Sequence, residues 1–263
     1  PFDDPDVIEG QATVSAEIEA QLGGAPDRLV MAVGGGGLSS GARGWFGPEL
    51  AMTLVEPQGA RSLYAALAAG EPVRLEAVDT FVDGAAVAMV GAHPFTRLEG
   101  EDPTSVLGAP EDRVCATILE MLNVEGMVLE PAGALSVDVL PDSAEAIRGA
   151  RVVCVTSGGN FDFERLPEVK ERAQRHAGVK KYFILRMPQR PGALRDFLNF
   201  LGPDDDIARF EYLKKSARNF GSVLIGIETT DPANFARLFA RLEAAGMAYQ
   251  DITDDEILAQ FLI

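Results

Sequence analysis

The feature that most constrains the fold is a run of four glycines placed directly after an apolar segment. The segment 29–33 reads Leu-Val-Met-Ala-Val, and it leads into the residues that we predict to bind an anion through their amides: Gly34, Gly35, Gly36, Gly37 and Leu38. Without a Cβ, glycine lets the chain turn sharply at the end of a buried strand and bring N–H groups close to a phosphate. A helix that starts there adds the positive end of its dipole. The turn is neither a Walker loop nor a GxGxxG fingerprint, since it has no Gly-Lys-Ser/Thr and no spaced glycines.

Charge divides the chain into two parts. Residues 1–178 carry 28 Asp and Glu against 12 Lys and Arg, a net charge of −16, whereas residues 179–263 carry 12 against 11, a net charge of −1. We predict a domain boundary at this step, with one domain at 1–178 and a second at 179–263. The acidity of the chain argues against nucleic acid as a partner.

Composition restricts the class of protein further. No apolar stretch reaches the roughly 18 residues of a transmembrane helix, so we predict no contact with a membrane. The two cysteines, Cys115 and Cys154, lie inside apolar segments. We interpret them as buried thiols in a reducing compartment, and we predict a cytoplasmic protein.

The first part alternates strand-like and helical patterns. Strands are predicted at 28–33, 53–56, 79–82 and 152–156, and helices at 6–22, 60–69, 110–123 and 133–140. Strands separated by helices, with glycine turns at the strand ends, favour an α/β fold with a mostly parallel sheet. In such a sheet, ligands bind beyond the carboxyl ends of the strands.

The second part follows a different pattern. Apolar residues alternate at 182–187 as in a strand, and they recur at helical spacing at 194–201 and 235–242. Further strands are predicted at 207–213, 222–228 and 248–252. The order βαββαβ predicts a small α+β domain of the ferredoxin-like kind.

Three more turns in the first part carry groups suited to a ligand. Ser157 and two glycines follow the apolar segment 152–155, Glu130 opens a Pro-Ala-Gly turn, and Gly84 follows an aspartate. Each turn alone is typical of an ordinary strand-to-helix connection. Together with the tetraglycine turn, they form an ordered set of hydroxyl, carboxylate and bare backbone groups.

This ordered set resembles that of the fold type II pyridoxal-phosphate enzymes, and most closely that of the biosynthetic threonine dehydratases (threonine ammonia-lyases). The motifs that carry the resemblance are P-F-D-D at 1–4, V-I-E-G-Q-A-T at 7–13, G-G-G-G-L at 34–38, V-E-P at 55–57, D-G-A-A-V at 83–87, E-P-A-G-A-L at 130–135 and S-G-G-N at 157–160. Ala12 replaces the last glycine of the family's G-Q-G-T. In the second part, R-P-G-A-L at 190–194, F-E-Y at 210–212 and D-D-E at 254–256 resemble a single ACT-like regulatory domain.

The resemblance implies a role for each matched residue. The amides of Gly34 to Leu38 would hold the phosphate of pyridoxal 5'-phosphate. Ser157 would hydrogen-bond the pyridine nitrogen, Gly84 would line the cofactor face, and Glu130 would lie near the ring. Glu56, with carbonyls such as that of Ala60, resembles a cation site seen in relatives. An effector site is implied at Arg190, Gly192, Ala193 and Leu194.

The implied activity is the deamination of L-threonine to 2-oxobutanoate and ammonia, the first step of isoleucine biosynthesis, with isoleucine as a feedback effector. The implied assembly is a homo-oligomer, a dimer or a tetramer. Two alternatives stay open: an enzyme of the serine racemase or serine dehydratase type, and a non-catalytic fragment that senses an amino acid. The R-P-G-A-L unit favours the biosynthetic branch, but the sequence does not decide between threonine and serine.

One part of the family's machinery is missing from this sequence. Residues 1–178 contain a single lysine, Lys170, which lies in a charged helical segment and is interpreted as a surface residue. In the family, the Schiff-base lysine and the substrate loop lie upstream of every motif seen here. We therefore expect that an N-terminal part of the same enzyme precedes this sequence, that no catalytic residue lies in the chain, and that the chain alone is inactive.

Overall fold

A computed structural model describes residues 2–213 and 220–255, so that Pro1 and Glu256, which belong to two of the motifs above, lie outside the described residues. The chain divides into two compact units, Pro1–Lys170 and Glu171–Ile263. The division at 170/171 falls within a helix, whereas the charge step places the predicted boundary at 178/179. None of the helices in the described ranges is long and apolar enough to cross a membrane.

The first unit is built on a parallel sheet flanked by helices. In chain order its elements are α1 (Pro5–Leu22), β1 (Arg28–Ala32), α2 (Gly37–Phe46), β2 (Ala51–Pro57), α3 (Ser62–Ala69), α4 (Ala92–Leu98), β3 (Val106–Ala109), α5 (Glu111–Asn123), α6 (Pro131–Asp138) and β4 (Val152–Val155). The strand order is β3-β2-β1-β4, and every pair is parallel. The predicted α/β fold with a parallel sheet is confirmed.

The position of β1 explains its apolar sequence. The strand pairs with β2 on one side and β4 on the other, where Met31 lies opposite Leu54 and Val155. Leu29, Val30 and Met31 are buried, as expected for a parallel strand that is covered on both faces. This central strand therefore delivers the glycine turn to the carboxyl edge of the sheet.

One predicted strand is wrong. Residues 79–82 form no strand. The fourth strand of the sheet is instead β3, which the sequence pattern did not predict. The carboxylate of Asp79 accepts a hydrogen bond from the amide of Phe81 at 2.8 Å, and the carbonyl of Val82 accepts from the amides of Ala85 and Ala86. The apolar pair Phe81 and Val82 is buried, but it is buried inside a turn.

The second unit is an antiparallel sheet with helices on one face. Helix α7 (Leu166–His176) carries the division between the units, and it is followed by β5 (Lys180–Pro188), α8 (Ala193–Leu198), β6 (Asp206–Leu213), β7 (Phe220–Glu228), α9 (Ala233–Ala244) and β8 (Tyr249–Asp251). The strand order is β6-β7-β5-β8. Alternate residues of β5 and β7, such as Phe183 and Ile225, pack against Phe197 of α8 and Leu238 of α9. The predicted βαββαβ order is confirmed.

Candidate functional site

The glycine turn connects β1 to α2 at the carboxyl edge of the parallel sheet. The amide of Val33 still donates to the carbonyl of Val55 at 2.7 Å, and the chain then leaves the sheet. Gly36, the residue before α2, has φ +91° and ψ 1°, and no side chain caps the helix there. Because the amides of a first helical turn have no partner four residues earlier, the start of α2 offers N–H groups to an anion.

Neighbouring backbone approaches this turn closely. A Cβ on Gly34 would lie 2.9 Å from the Cα of Ala85, and one on Gly36 would lie 2.7 Å from the Cβ of Pro94. The carbonyl of Gly35 accepts a hydrogen bond from the amide of Gly91 at 3.1 Å. The glycines are therefore required by packing as well as by the left-handed φ of Gly36.

The structure brings all the predicted cofactor-binding residues to one cavity of about 400 Å³, lined by Gly34, Gly35, Gly36, Gly37, Leu38, Gly84, Glu130 and Ser157. They come from four separate turns of the chain. The glycine turn and the turn with Ser157 follow β1 and β4 at the carboxyl edge of the sheet, and Gly84 and Glu130 lie in connections between helices. Their individual roles stay predictions. Sequence reasoning missed further lining residues, among them Phe2, Gln11, Ser39, Ala85, Val87 and Ala132.

Glu130 and Gly158 join two walls of this cavity. The amide of Glu130 donates to the carbonyl of Gly158 at 3.1 Å, and a Cβ on Gly158 would overlap the Glu130 carboxylate. A Cβ on Gly84 would lie 3.3 Å from Oε1 of the same carboxylate. Ser157, two residues beyond the end of β4, is exposed and lines the cavity. The site thus combines backbone donors, one carboxylate and one neutral hydroxyl.

The P-F-D-D motif supplies another wall. A Cβ on Gly35 would overlap the ring of Phe2, so the ring lies against the glycine turn. The carboxylate of Asp3 accepts from the amides of His93 at 2.8 Å and Ala92 at 3.1 Å, and the hydrogen bond from His93 holds the pKa of Asp3 below its usual value. Asp4 caps α1 in the same way. The sequence did contain a signal for these residues, since P-F-D-D at 1–4 is one of the motifs that carry the family resemblance.

Glu56 lies at the end of β2 and is fully buried. Its carboxylate accepts hydrogen bonds from the amides of Leu63 at 2.6 Å and Tyr64 at 3.0 Å, which makes it a cap of α3. Burial nevertheless raises the pKa of Glu56 to about 7. The described residues contain no group of three or more His, Cys, Asp or Glu side chains that could hold a metal ion. The cation role stays a prediction, and both carboxylate oxygens already serve as acceptors from the backbone.

The predicted effector residues form the turn between β5 and α8. Arg190 donates to the carboxylate of Asp196 at 2.5 Å, and Gly192 has φ +86°. The amide of Ala193 donates to the carbonyl of Arg190 at 3.3 Å, while Leu194 is 43% exposed. The structure therefore brings the four residues together, and their role in binding an effector stays a prediction.

Lys170 does not approach the cavity. It is exposed on α7, and it is not among the residues that line the cavity around the glycine turn. No other lysine occurs in residues 1–178. Within the described part of the chain, the cavity therefore has no lysine amine.

Two family models match the chain. One, described as "Pyridoxal-phosphate dependent enzyme", matches residues 1–158. The other, described as "C-terminal regulatory domain of Threonine dehydratase", matches residues 171–262. The first match lies within the first unit of the chain, and the second match lies within the second unit.

Curated relatives match over the whole chain. The protein named "L-threonine dehydratase biosynthetic IlvA" from Bacillus subtilis is 45% identical over 267 residues, which cover 100% of this chain and 63% of that protein. The protein of the same name from Mycobacterium leprae is 43% identical over 268 residues, covering 100% of this chain and 62% of that protein. The chain spans less than two thirds of the length of these relatives.

Solved structures match the fold over part of the chain. The processed form of threonine deaminase isoform 2 from Solanum lycopersicum has a TM-score of 0.61 and 36% identity, and the match covers 66% of this chain and 51% of that one. Serine racemase from Dictyostelium discoideum has a TM-score of 0.54 and 29% identity, covering 62% of this chain and 53% of that one.

Proposed function

The chain belongs to the family of pyridoxal-phosphate dependent enzymes, and on that premise we propose that it supplies the cofactor-binding and regulatory parts of an L-threonine dehydratase. The observation that carries the proposal is the single cavity lined by all eight motif residues, in a chain whose second unit matches the regulatory domain of that enzyme. Pyridoxal phosphate supplies an electron-withdrawing ring that allows a proton to leave the α-carbon of an amino acid.

The cavity offers groups suited to the phosphate of such a cofactor and groups suited to its ring. The glycine turn and the uncapped start of α2 offer backbone donors for a phosphate. Ala85, Val87 and Ala132 give apolar surface beside them, which suits a flat aromatic ring. Gly84 and Gly158 carry no side chain, and the Glu130 carboxylate packs against both of them at the cavity wall. The residues present therefore match the chemistry of the group.

Ser157 explains why elimination rather than transamination is the expected reaction. A neutral hydroxyl facing the ring nitrogen does not hold a proton there as an aspartate does. A cofactor held by Ser157 in this way would withdraw electrons from the α-carbon less strongly than one held by an aspartate. Loss of the β-hydroxyl of threonine competes well under these conditions, and hydrolysis of the released enamine gives 2-oxobutanoate and ammonia.

The lysine that the reaction needs must come from outside the cavity that this chain forms. Chemistry of this kind uses a lysine amine as the covalent partner of the cofactor, and Lys170 is exposed and does not line the cavity. We propose that a further segment of the same enzyme supplies it, and that the chain alone does not turn over threonine. The greater length of the curated relatives supports this proposal.

We further propose that the second unit binds isoleucine through the turn that contains Arg190, Gly192, Ala193 and Leu194. Coupling of about 1–3 kcal/mol between effector and substrate would change threonine affinity by roughly 5–150-fold. A homo-oligomer, either a dimer or a tetramer, would let a neighbouring copy complete this site, since a small sheet leaves an edge and a face to pair. We propose the cytoplasm as the location, and fractionation of cells tests it.

The test is an assay of a cofactor-loaded enzyme that contains this chain, with threonine and serine offered separately and isoleucine titrated in. We expect 2-oxobutanoate and ammonia from threonine, suppression by isoleucine, and no product from the chain alone. Racemisation of serine without deamination of threonine would favour the serine racemase alternative. The similarity to the serine racemase structure from Dictyostelium discoideum is the reason to test it. Isoleucine binding without any turnover would favour the sensing alternative.

A further inference from the structure

Gly84 reaches the cofactor cavity on a turn closed by local hydrogen bonds, one of them from its own amide to the Asp83 carboxylate at 3.0 Å. The turn closes where the amides of Ala85 and Ala86 donate to the carbonyl of Val82 at 2.9 and 2.8 Å. Gly84 itself is exposed, and the space beside it is shared with the Glu130 carboxylate. Any displacement of this turn therefore changes the wall against which a cofactor lies.

Arg165 contacts this turn at Phe81. One guanidinium nitrogen, Nη2, donates to the carbonyl of Phe81 at 3.1 Å. The guanidinium carbon lies 4.7 Å from the centroid of the Phe81 ring, close enough for a cation–π contact. Phe81 is 4% exposed, so its ring is a fixed platform. A hydrogen bond and a stacked ring on one residue make a planar, two-point contact of the kind that arginine forms and lysine does not.

The local chain fixes Arg165 in turn. It is the last residue of a short 3-10 helix, Phe163–Arg165, which Asp162 caps by accepting from the amide of Glu164 at 2.9 Å. Its Nε lies 3.4 Å from the carboxylate of Glu168, an exposed pair that contributes little. The clasp on Phe81 therefore connects this segment to the Gly84 turn.

A second cavity shows that the clasp and the cofactor site are adjacent. It measures about 280 Å³ and is lined by Asp83, Gly84, Glu130, Pro131, Asn160, Phe161, Asp162 and Arg165. Gly84 and Glu130 line both this cavity and the cavity around the glycine turn. Arg165 thus lines a cavity that adjoins the cofactor space at Gly84 and Glu130.

We propose that Arg165 is a positioning residue for the cofactor site, which it serves by clamping Phe81 and so fixing the turn that presents Gly84. The inference rests on the proposed cofactor site but not on the identity of the amino-acid substrate. It predicts that removing the guanidinium loosens residues 79–88 locally, and that the enzyme then binds its cofactor less tightly while keeping its turnover once loaded.

The first measurement is hydrogen exchange of the chain itself, followed by mass spectrometry of peptides covering 79–88 and 28–33. In Arg165→Ala we expect about tenfold faster exchange at 79–88 and no change at 28–33, because only the clasped turn opens more often. Arg148→Ala, which removes an exposed arginine that lines neither cavity, is the matched control. Unchanged exchange at 79–88, or an equal rise at 28–33, would overturn the proposal.

The second measurement is the affinity of a holoenzyme that contains this chain for pyridoxal phosphate, followed by absorbance during dialysis and reloading. We expect Arg165→Ala to weaken cofactor binding about tenfold with kcat at saturating cofactor within about threefold of the parent. Arg165→Lys keeps the charge, and its cofactor affinity should lie between those of the parent and of Arg165→Ala. It also replaces the alanine variant if that variant fails to fold.

Affinity equal to that of Arg148→Ala would contradict the proposal, and so would a loss of kcat with unchanged affinity. Cofactor uptake is measured without the substrate. An enzyme that loads normally but does not deaminate threonine would therefore refute the proposed function, while the measured cofactor affinity would still test the role of Arg165.

Discussion

The two units of the chain bury their polar groups in different ways. In the first unit, buried hydroxyls and one carboxylate bond to backbone near strand ends: Ser39 to the carbonyl of Gly36, Ser40 to that of Gly37, and Glu56 to the start of α3. In the second unit, Lys180 pairs with the side chains of Glu171 and Glu228. At these positions the first unit uses buried polar groups to shape backbone, and the second pairs buried charges. The division is one of emphasis, since Arg113 pairs with buried Asp138 in the first unit and Thr253 bonds to the backbone of Tyr182 in the second.

Sheet topology explains the contrast. Parallel strands end at the same edge, so turns that are distant in sequence meet there and can form a cavity from backbone atoms. The antiparallel sheet of the second unit alternates its ends and buries alternate side chains under two helices. Glycine follows the same division, since residues 1–170 hold 21 of the 27 glycines. A single added side chain should therefore be most damaging in the first unit.

The largest effect should come from Gly36→Asp. The substitution places a side chain where φ is +91° and where a Cβ lies 2.7 Å from Pro94, at a strain of about 1–3 kcal/mol. It also directs a carboxylate toward the phosphate, so we expect cofactor affinity to fall by more than about 100-fold. Absorbance of the loaded enzyme measures it.

Gly23→Asp is the control for this substitution, because Gly23 has φ +70° and open space around it. It should lose some stability to backbone strain without losing the cofactor. Normal cofactor binding by Gly36→Asp would show that the phosphate does not bind at the glycine turn. The difference in backbone between the two units would then have no bearing on cofactor binding.

The second unit should depend most on Lys180. Burial opposes its charge, but hydrogen bonds to Glu171 and Glu228 raise the pKa of Lys180 above its usual value. Lys180→Met leaves Glu171, which is 9% exposed, without this partner, and we expect a loss of about 3–5 kcal/mol in unfolding free energy. Denaturant unfolding followed by hydrogen exchange in β5 and β7 reports on this unit.

The neighbouring residue gives a matched control. Lys181 pairs with Asp251 at 2.9 Å, but both side chains are partly exposed, at 28% and 36%. Lys181→Met should cost about 0–1 kcal/mol. Equal losses in the two variants would show that buried charge pairing is not what stabilises the second unit.

The sequence predicted the parts of the fold that local pattern determines. Apolar runs ended by glycine located β1 and β4, and alternation located the βαββαβ order. The pattern failed at 79–82, where Phe81 and Val82 suggested a strand, because the turn depends on distant partners such as Arg165. It also missed β3, whose four residues Val-Leu-Gly-Ala have only half-buried central positions.

The site was predictable to a similar extent. Glycines that offer backbone amides are visible as a motif, so the sequence located the glycine turn and also Gly84, Glu130 and Ser157, which line the same cavity. It did not identify Phe2 as a cavity wall, since an aromatic residue in a motif does not reveal what it packs against. The raised pKa of Glu56 was also out of reach, because it follows from burial that only the folded chain creates.

Glu56 gives a pH-dependent test confined to the first unit. Its pKa is about 7 in the folded state against 4.5 for the free carboxyl, so the unfolded chain loses this proton first. Stability should therefore fall as pH rises from about 4.5 to about 7, by roughly 3 kcal/mol, and then level off. Fluorescence of Trp45, the single tryptophan, follows unfolding of this unit.

Glu56→Gln removes the titrating group and should flatten that part of the stability profile, whereas Glu49→Gln, at an exposed position, should leave it unchanged. An unchanged slope in Glu56→Gln would mean that another group titrates, and that Glu56 caps α3 as a permanent anion.

The smallest effect is expected at Ser157, where a side chain rather than backbone faces the cavity. Ser157→Ala should leave folding intact and weaken cofactor binding by the value of one neutral hydrogen bond, about 0.5–1.5 kcal/mol, or roughly 2–12-fold. Ser157→Asp should instead raise the share of transamination relative to elimination, because a carboxylate holds a proton on the ring nitrogen. The measurement is the ratio of amino-transfer product to 2-oxobutanoate in a loaded enzyme that contains this chain. If Ser157→Asp leaves that ratio unchanged, Ser157 does not face the ring nitrogen, and Glu130 is the polar side chain of the predicted set left to contact the ring.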